Sequence, residues 1–242
     1  MTQSPMTRRT LFALGAPAAL VAFVACSKSS SGTSNSTTSK SVSTPDNVVS
    51  FNWPEITETK LRDDTGYHLN KLVDGAPTVT LYTDYEVFEC AKAELAYEKA
   101  AKDLEGTMNV TVRNMPLSQI HKNAIAAAQA VQAAELQGKH LEMANKLFET
   151  QDSWKDITEQ TEFAGVLLSY AQELGLDEEK FKTDLVDPKT IDLIKSDFEY
   201  GQKIGVKGTP QFAVNDKPLE NVDSSTSAED MVKEFKKAAG LS

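Results

Sequence analysis

Thr83-Asp84-Tyr85-Glu86-Val87-Phe88-Glu89-Cys90-Ala91-Lys92-Ala93-Glu94 begins as the end of an extended segment and turns into a helix. Before it, Thr78-Val79-Thr80-Leu81-Tyr82 is β-branched and aromatic, which reads as a strand. After it, Cys90, Ala93, Tyr97, Ala100, Ala101 and Leu104 recur at helical spacing, with Lys92, Glu94, Glu98, Lys99 and Lys102 assigned to the other faces and Gly106 closing the helix. Far downstream, Gly205-Val206-Lys207-Gly208-Thr209-Pro210 precedes a second strand, Gln211 to Val214.

Working outward, Tyr67 to Val73, a turn at Asp74-Gly75-Ala76-Pro77, and Thr78 to Tyr82 read as paired extended segments. Asn109 to Arg113 is the next strand. Between Leu117 and Lys203 the pattern is helical: an alanine-rich helix over Ile120 to Leu136, then His140 to Phe148, Phe163 to Leu174, Glu178 to Leu185 and Ile191 to Ile204. Lys217 to Glu220 pairs back across Asn215-Asp216, and Ala228 to Ala239 is a closing helix. This order predicts an α/β fold carrying an inserted helical domain at about residues 117–203.

The strand that ends in an acidic residue and an aromatic, followed by a turn opening a helix, resembles the DsbA-like thioredoxin family. Pro116-Leu117, His121, Gly138-Lys139, Leu147-Phe148, Trp154 and Leu174-Gly175-Leu176-Asp177 extend the similarity, and Gly205 to Pro210 looks like the loop that carries the family's cis-proline. Together they cover the chain from Tyr67 to its end. The resemblance implies a thioredoxin-like fold with an inserted α-helical domain, and thiol-disulfide exchange as the family activity.

That chemistry takes a thiolate at a helix N-terminus and a second thiol one turn later that resolves the mixed disulfide. The family writes Cys-Pro-x-Cys three residues after the acidic residue, which here places Val87, Phe88, Glu89 and Cys90, so Val87 stands where the nucleophile is expected. A shift by one turn would make Cys90 the nucleophile opposite Ala93; the gapless strand and Ala91-Lys92-Ala93-Glu94 argue against it. Cys90 is then a partly buried thiol in the resolving-type position. Burial raises its pKa, and Glu86 and Glu89 are expected to disfavour a thiolate further. The resemblance also implies that Thr209, before Pro210, offers its backbone to an extended substrate peptide by strand addition, with Val87 and Phe88 lining the same site.

The N-terminus sets the compartment. Arg8 and Arg9, an apolar stretch from Thr10, and Ala25 before Cys26 have the layout of an export signal over residues 1–25, too short for a comfortable spanning helix. Phe23-Val24-Ala25-Cys26 resembles a bacterial lipoprotein box with Cys26 as the lipidated residue, although phenylalanine stands where leucine is usual. Thr7-Arg8-Arg9 resembles a twin-arginine signal, but arginine pairs are common in ordinary signals and the general route is favoured. Residues 26–45, rich in Ser and Thr, read as a disordered tether, leaving 46–242 for the folded domain. An extracytoplasmic, lipid-anchored protein is expected.

The chain has 25 Lys+Arg against 35 Asp+Glu, a formal charge of −10, which argues against nucleic acid as a partner and against headgroup attraction as the membrane contact. No phosphate loop, Gly-x-Ser-x-Gly turn or zinc-protease motif is present, and no cofactor is expected. His68, His121 and His140 lack metal-ligand spacing and read as surface or capping residues. The leading expectation is a non-redox module binding an extended polypeptide or exported client. The alternative is a monothiol oxidoreductase or isomerase acting through Cys90.

Overall fold

A computed structural model of the chain describes residues 66–241. The expected export signal, Cys26 and the tether lie outside these residues. The elements are β1 (Tyr67–His68), β2 (Thr78–Thr83), α1 (Phe88–Asp103), β3 (Asn109–Asn114), α2 (Ala124–Glu135), α3 (His140–Glu149), α4 (Gln151–Trp154), α5 (Gln160–Glu173), α6 (Glu178–Leu185), α7 (Pro188–Ile204), β4 (Gln211–Val214), β5 (Lys217–Pro218) and α8 (Ala228–Ala238).

The strands form one sheet in the order β1-β3-β2-β4-β5. β2 and β3 run parallel, as a β-α-β crossover through α1 requires, with Leu81 opposite Val112, while β4 is antiparallel to β2 with Leu81 opposite Phe212. β4 and β5 form a hairpin across Asn215 and Asp216, both at positive φ (46° and 62°), the left-handed conformation that these two short polar residues tolerate in a tight turn.

The first pairing departs from expectation. β1 pairs antiparallel with β3, Tyr67 opposite Val112, and not with β2; the predicted strand to Val73 also shrinks to two residues. The reason is Asn70, whose side chain takes over the ladder: Oδ1 accepts from Val110 N (3.0 Å) and Nδ2 donates to Met108 O (2.9 Å). An amide that mimics a peptide group ends the regular strand while pairing the Val110 N–H and the Met108 carbonyl.

Two helical layers flank the sheet. On one face Val79, Leu81, Val110, Val112, Phe212 and Val214 pack against Ala93 and Tyr97 of α1 and Met231 and Phe235 of α8. Each such large apolar side chain removed from water contributes about 1.5–3 kcal/mol. Tyr97 also donates its hydroxyl to Val79 O (2.8 Å), fastening α1 to the sheet. On the other face Tyr82, Met115 and Ala213 meet Phe198 and Ile204 of α7. Gly201 permits that approach, since a Cβ there would stand 2.9 Å from Tyr82 Cε1.

The inserted helices have a core of their own, built on Ala127, Ala130 and Val131 of α2 with Leu147, Trp154, Phe163, Phe181 and Leu185 around them. The run of alanines in α2 is what lets these neighbours close on it from several sides. α6 and α7 start where the sequence supplies caps, Asp177 accepting from Lys180 N (2.8 Å) and Asp187 from Lys189 N (2.8 Å) with Pro188 in the first turn, and α7 stops at Gly205 (φ 94°). The alanine-rich helix begins at Ala124, not Ile120; Ile120 lies in the preceding turn and is 72% exposed. No helix of the described residues is long and apolar enough to cross a membrane.

Candidate functional site

The turn that opens α1 is built around Asp84, at the end of β2. Its buried carboxylate accepts from Glu86 N through Oδ1 (2.9 Å) and from Leu117 N through Oδ2 (2.8 Å), and Oδ2 is also bonded to His121 Nδ1 (2.9 Å). Its carbonyl accepts from Val87 N (3.1 Å). Glu86 reaches across to α2, Oε2 accepting from Asn123 N (2.8 Å), and Gln151 Nε2 donates to Tyr85 O (2.9 Å). The turn is therefore held by β2, by the segment after β3 and by the helical insertion together.

Val87 is the N-cap of α1, extended at φ −86° and ψ 121°, and its side chain provides no capping bond. This is where helix amides and the helix dipole would stabilise an anion, and an isopropyl group occupies it. Phe88 follows and is 57% exposed, with Lys92 Nζ 4.4 Å above its ring.

Cys90 points inward and is fully buried, beyond the partial burial expected. Burial pushes its thiol up to about 12, against the weaker opposing pull of the Asp84 N–H (N···Sγ 3.5 Å) and the hydroxyls of Thr209 and Thr83. Both hydroxyls lie beside the thiol, yet neither makes a well-aligned hydrogen bond. The carboxylate that disfavours the thiolate is Asp84, not the expected Glu86 or Glu89. At neutral pH this cysteine is a protonated, enclosed thiol.

The Thr209–Pro210 peptide is cis, and its loop brings Thr209 against Cys90. Thus the structure joins Cys90 and Thr209 across 119 positions of sequence, with Val87 and Phe88 adjoining through the turn. Residues 74–236 match the model of the protein family described as Thioredoxin.

The chain belongs to this thioredoxin family. Within it the solved structures that resemble the chain are DsbA-like. A thioredoxin-like oxidoreductase from Silicibacter pomeroyi DSS-3 is 27% identical with a TM-score of 0.52, over 68% of this chain and 89% of that one. The thiol-disulfide exchange protein α-DsbA2 from Wolbachia pipientis is 18% identical with a TM-score of 0.57, over 72% and 88%. MdbA, a thiol-disulfide oxidoreductase from Corynebacterium diphtheriae, is 18% identical with a TM-score of 0.53, over 67% and 84%. The last two likenesses carry the fold alone. Among curated proteins, 138 residues of this thioredoxin-family chain are 34% identical to the Na(+)/H(+) antiporter NhaA 3 of Salinispora tropica, covering 57% of this chain and 20% of that protein. The chain spans about one-fifth of the length of these curated relatives.

Three features, two of them at the site, escaped sequence reasoning. His121 was read as a surface or capping residue, and its ring is bonded to the buried Asp84 of this thioredoxin-family turn. His140 was expected at the surface; it is 2% exposed, stacked on Tyr67 with centroids 3.5 Å apart and bonded through Nδ1 to Glu135 Oε2 (2.9 Å). Burial lowers its pKa. Glu94 was assigned to a solvent face but is 1% exposed, because a residue four after Cys90 lies on the same helical face. Burial, reinforced by Glu98, pushes its carboxyl up to about 8. The i, i+4 spacing from Cys90 was the available signal for Glu94; nothing local marks His140.

Proposed function

We propose that this chain is a non-redox, polypeptide-binding member of the DsbA-like thioredoxin family, working outside the cytoplasm on extended segments of exported proteins. One observation carries the reading: the helix N-terminus where thioredoxin-type chemistry places its attacking thiolate holds Val87, while the thiol one turn on, Cys90, is sealed from solvent and pushed up to about 12. What the site retains is the surface for binding. Phe88 is an exposed aromatic anchor, and Thr209 and Pro210 lead into β4, whose two edges are taken by β2 and β5, so the backbone on offer to an extended peptide is that of Thr209 itself, ahead of the strand.

The test uses the full chain carrying Cys26→Ser, in which Cys90 is the remaining cysteine. Capture of a denatured exported protein is expected to persist in Cys90→Ala and to fall severalfold in Phe88→Ala, whose exposed ring contributes little to the melting temperature. Insulin reduction by the parent above the Cys90→Ala control, or rapid alkylation of the folded protein below neutral pH, would overturn the reading in favour of a monothiol enzyme.

We propose further that residues 1–25 are an export signal and that Cys26 is acylated, with residues 26–45 as the tether that holds the domain off the membrane. The support is the small, apolar run before Cys26 and the Ser/Thr-rich tract after it. Metabolic labelling with a fatty-acid analogue should mark the protein in a bacterial host. A Cys26→Ser chain that still takes the label excludes this anchor.

A further inference from the structure

We infer that this surface has a resident occupant in its own chain, the stretch Val48-Val49-Ser50-Phe51-Asn52-Trp53-Pro54-Glu55-Ile56, which a client has to displace. The inference rests on the polypeptide-binding reading above and names what fills the surface when no client does. On the surface side, Phe88 and Leu95 are 57% and 58% exposed, and at seven residues apart on α1 they share one helix face. Ile120 is exposed in the segment that Asp84 ties to the turn through Leu117 N and His121 Nδ1. Large apolar side chains left exposed together mark a contact surface.

The stretch supplies matching chemistry. From Val49 to Trp53 apolar and polar residues alternate strictly, the pattern that sets Val49, Phe51 and Trp53 on one side of an extended chain. Pro54 biases Trp53 toward extended backbone, the form that pairs with an offered backbone such as that of Thr209, and Phe and Trp are side chains that anchor such contacts. On either side the sequence is polar, rich in Ser and Thr up to Pro45 and continuing as Thr57-Glu58-Thr59-Lys60.

The described chain also starts at the end of the sheet where the turn sits. β1 is antiparallel to β3 with Tyr67 opposite Val112, so going back from Tyr67 to Gly66 the chain runs toward Arg113 and Asn114. Asn114 is the partner of Thr83, the last residue of β2 before Asp84. Only β3 lies between β1 and β2, which puts them about 10 Å apart, two strand spacings. Residues 57–65 can span about 30 Å, enough to bring the stretch to the turn with β1 in place. A short tether gives an effective concentration in the millimolar range. A segment with a dissociation constant of about 0.1 mM would then fill the surface about ten times as often as it leaves it free.

The test is fluorescence anisotropy of a labelled peptide of residues 46–57 with the Cys26→Ser full chain and with the same chain carrying Phe51→Ser and Trp53→Ser. The serine variant is expected to bind the peptide about tenfold more tightly than the parent, because its own stretch no longer competes. Adding Phe88→Ala and Leu95→Ala should weaken that binding severalfold. A second measurement leaves the stretch intact. Trp154 is buried, so the emission of a chain minus that of its Trp53→Phe counterpart reports Trp53, and it should move to longer wavelength once Phe88→Ala and Leu95→Ala are introduced. Equal peptide affinity for parent and serine variant, or a Trp53 spectrum that does not move, would overturn the resident occupant and leave the binding reading standing. Capture of a denatured exported protein with no binding of the peptide would do the same. Binding of neither would overturn both. A parent that sediments as a dimer beside a monomeric serine variant would place the stretch on a second copy and overturn occupancy within one chain.

Discussion

Asp197→Ala is expected to lower the free energy of unfolding by about 3–5 kcal/mol, the usual cost of removing one partner from a buried ion pair. Asp197 lies on α7 and both oxygens of its carboxylate are bonded to residues of β3. Oδ1 accepts from Arg113 Nη1 at 3.0 Å, and Oδ2 accepts from Asn114 N at 3.2 Å and Asn114 Nδ2 at 3.1 Å. Both charged side chains are buried, and the Arg113 guanidinium lies 4.7 Å over the Tyr200 ring. Truncation leaves a guanidinium and a backbone N–H in the interior without the carboxylate that compensated them.

Replacing both members together, as Arg113→Met with Asp197→Leu, should recover part of that loss, because the guanidinium no longer faces a missing carboxylate while the Asn114 amides stay without their acceptor. Urea unfolding of the single and double variants measures both effects. A loss below about 1 kcal/mol for Asp197→Ala, the range of exposed pairs, would show that this bond does not organise the contact of α7 with the sheet.

Stability is also expected to fall as pH rises from about 4.5 to about 8, with Glu94 the main cause and Glu86, also raised by burial, adding to the lower part of the range. The folded-state pKa of Glu94 is pushed up to about 8 from 4.5, mainly by burial and then by Glu98, with the Thr83 hydroxyl pulling weakly the other way. Between those values the native chain keeps a proton that the unfolded chain has released, so raising the pH favours unfolding. Below the lower value both states are protonated and the penalty vanishes.

Glu94→Gln keeps the shape and cannot ionise. It should flatten the slope and stabilise the protein at pH 8 by a few kcal/mol, since one pKa unit corresponds to about 1.4 kcal/mol. The window between pH 6.5 and 8 is the informative one. His140 has its pKa lowered by burial, so it contributes stability that is lost as pH falls below its ordinary range, on the other side of that window. Parallel pH profiles for parent and Glu94→Gln would refute the assignment.

Much of the fold was written in local pattern. α6 emerged at its observed bounds because Asp177 caps it and Leu185 is its last apolar contact, and β4 was readable as an apolar run ending at an Asn-Asp turn. Where the expectations failed, a distant partner had replaced a local rule. β1 was assigned to the adjacent strand because a turn lay between them, whereas Asn70 ties that segment to β3 nearly forty residues away. Glu94 was placed off the apolar stripe of α1 and His140 was read as a surface or capping residue for want of metal-ligand spacing, and both are enclosed by packing.

The candidate site divides in the same way. Sequence alone determined that one cysteine stands in the turn, that Val87 precedes it by three, and that a Thr-Pro loop follows far downstream, because covalent order and residue identity need no neighbours. Only the tertiary structure decided that Thr209 lies against Cys90, that His121 braces Asp84, and that the thiol is closed off and held in its protonated form. Those properties belong to the surroundings of an atom. Desolvation and hydrogen bonding are set by groups brought in from α2, the insertion and the proline loop, and no local stretch of chain carries that information.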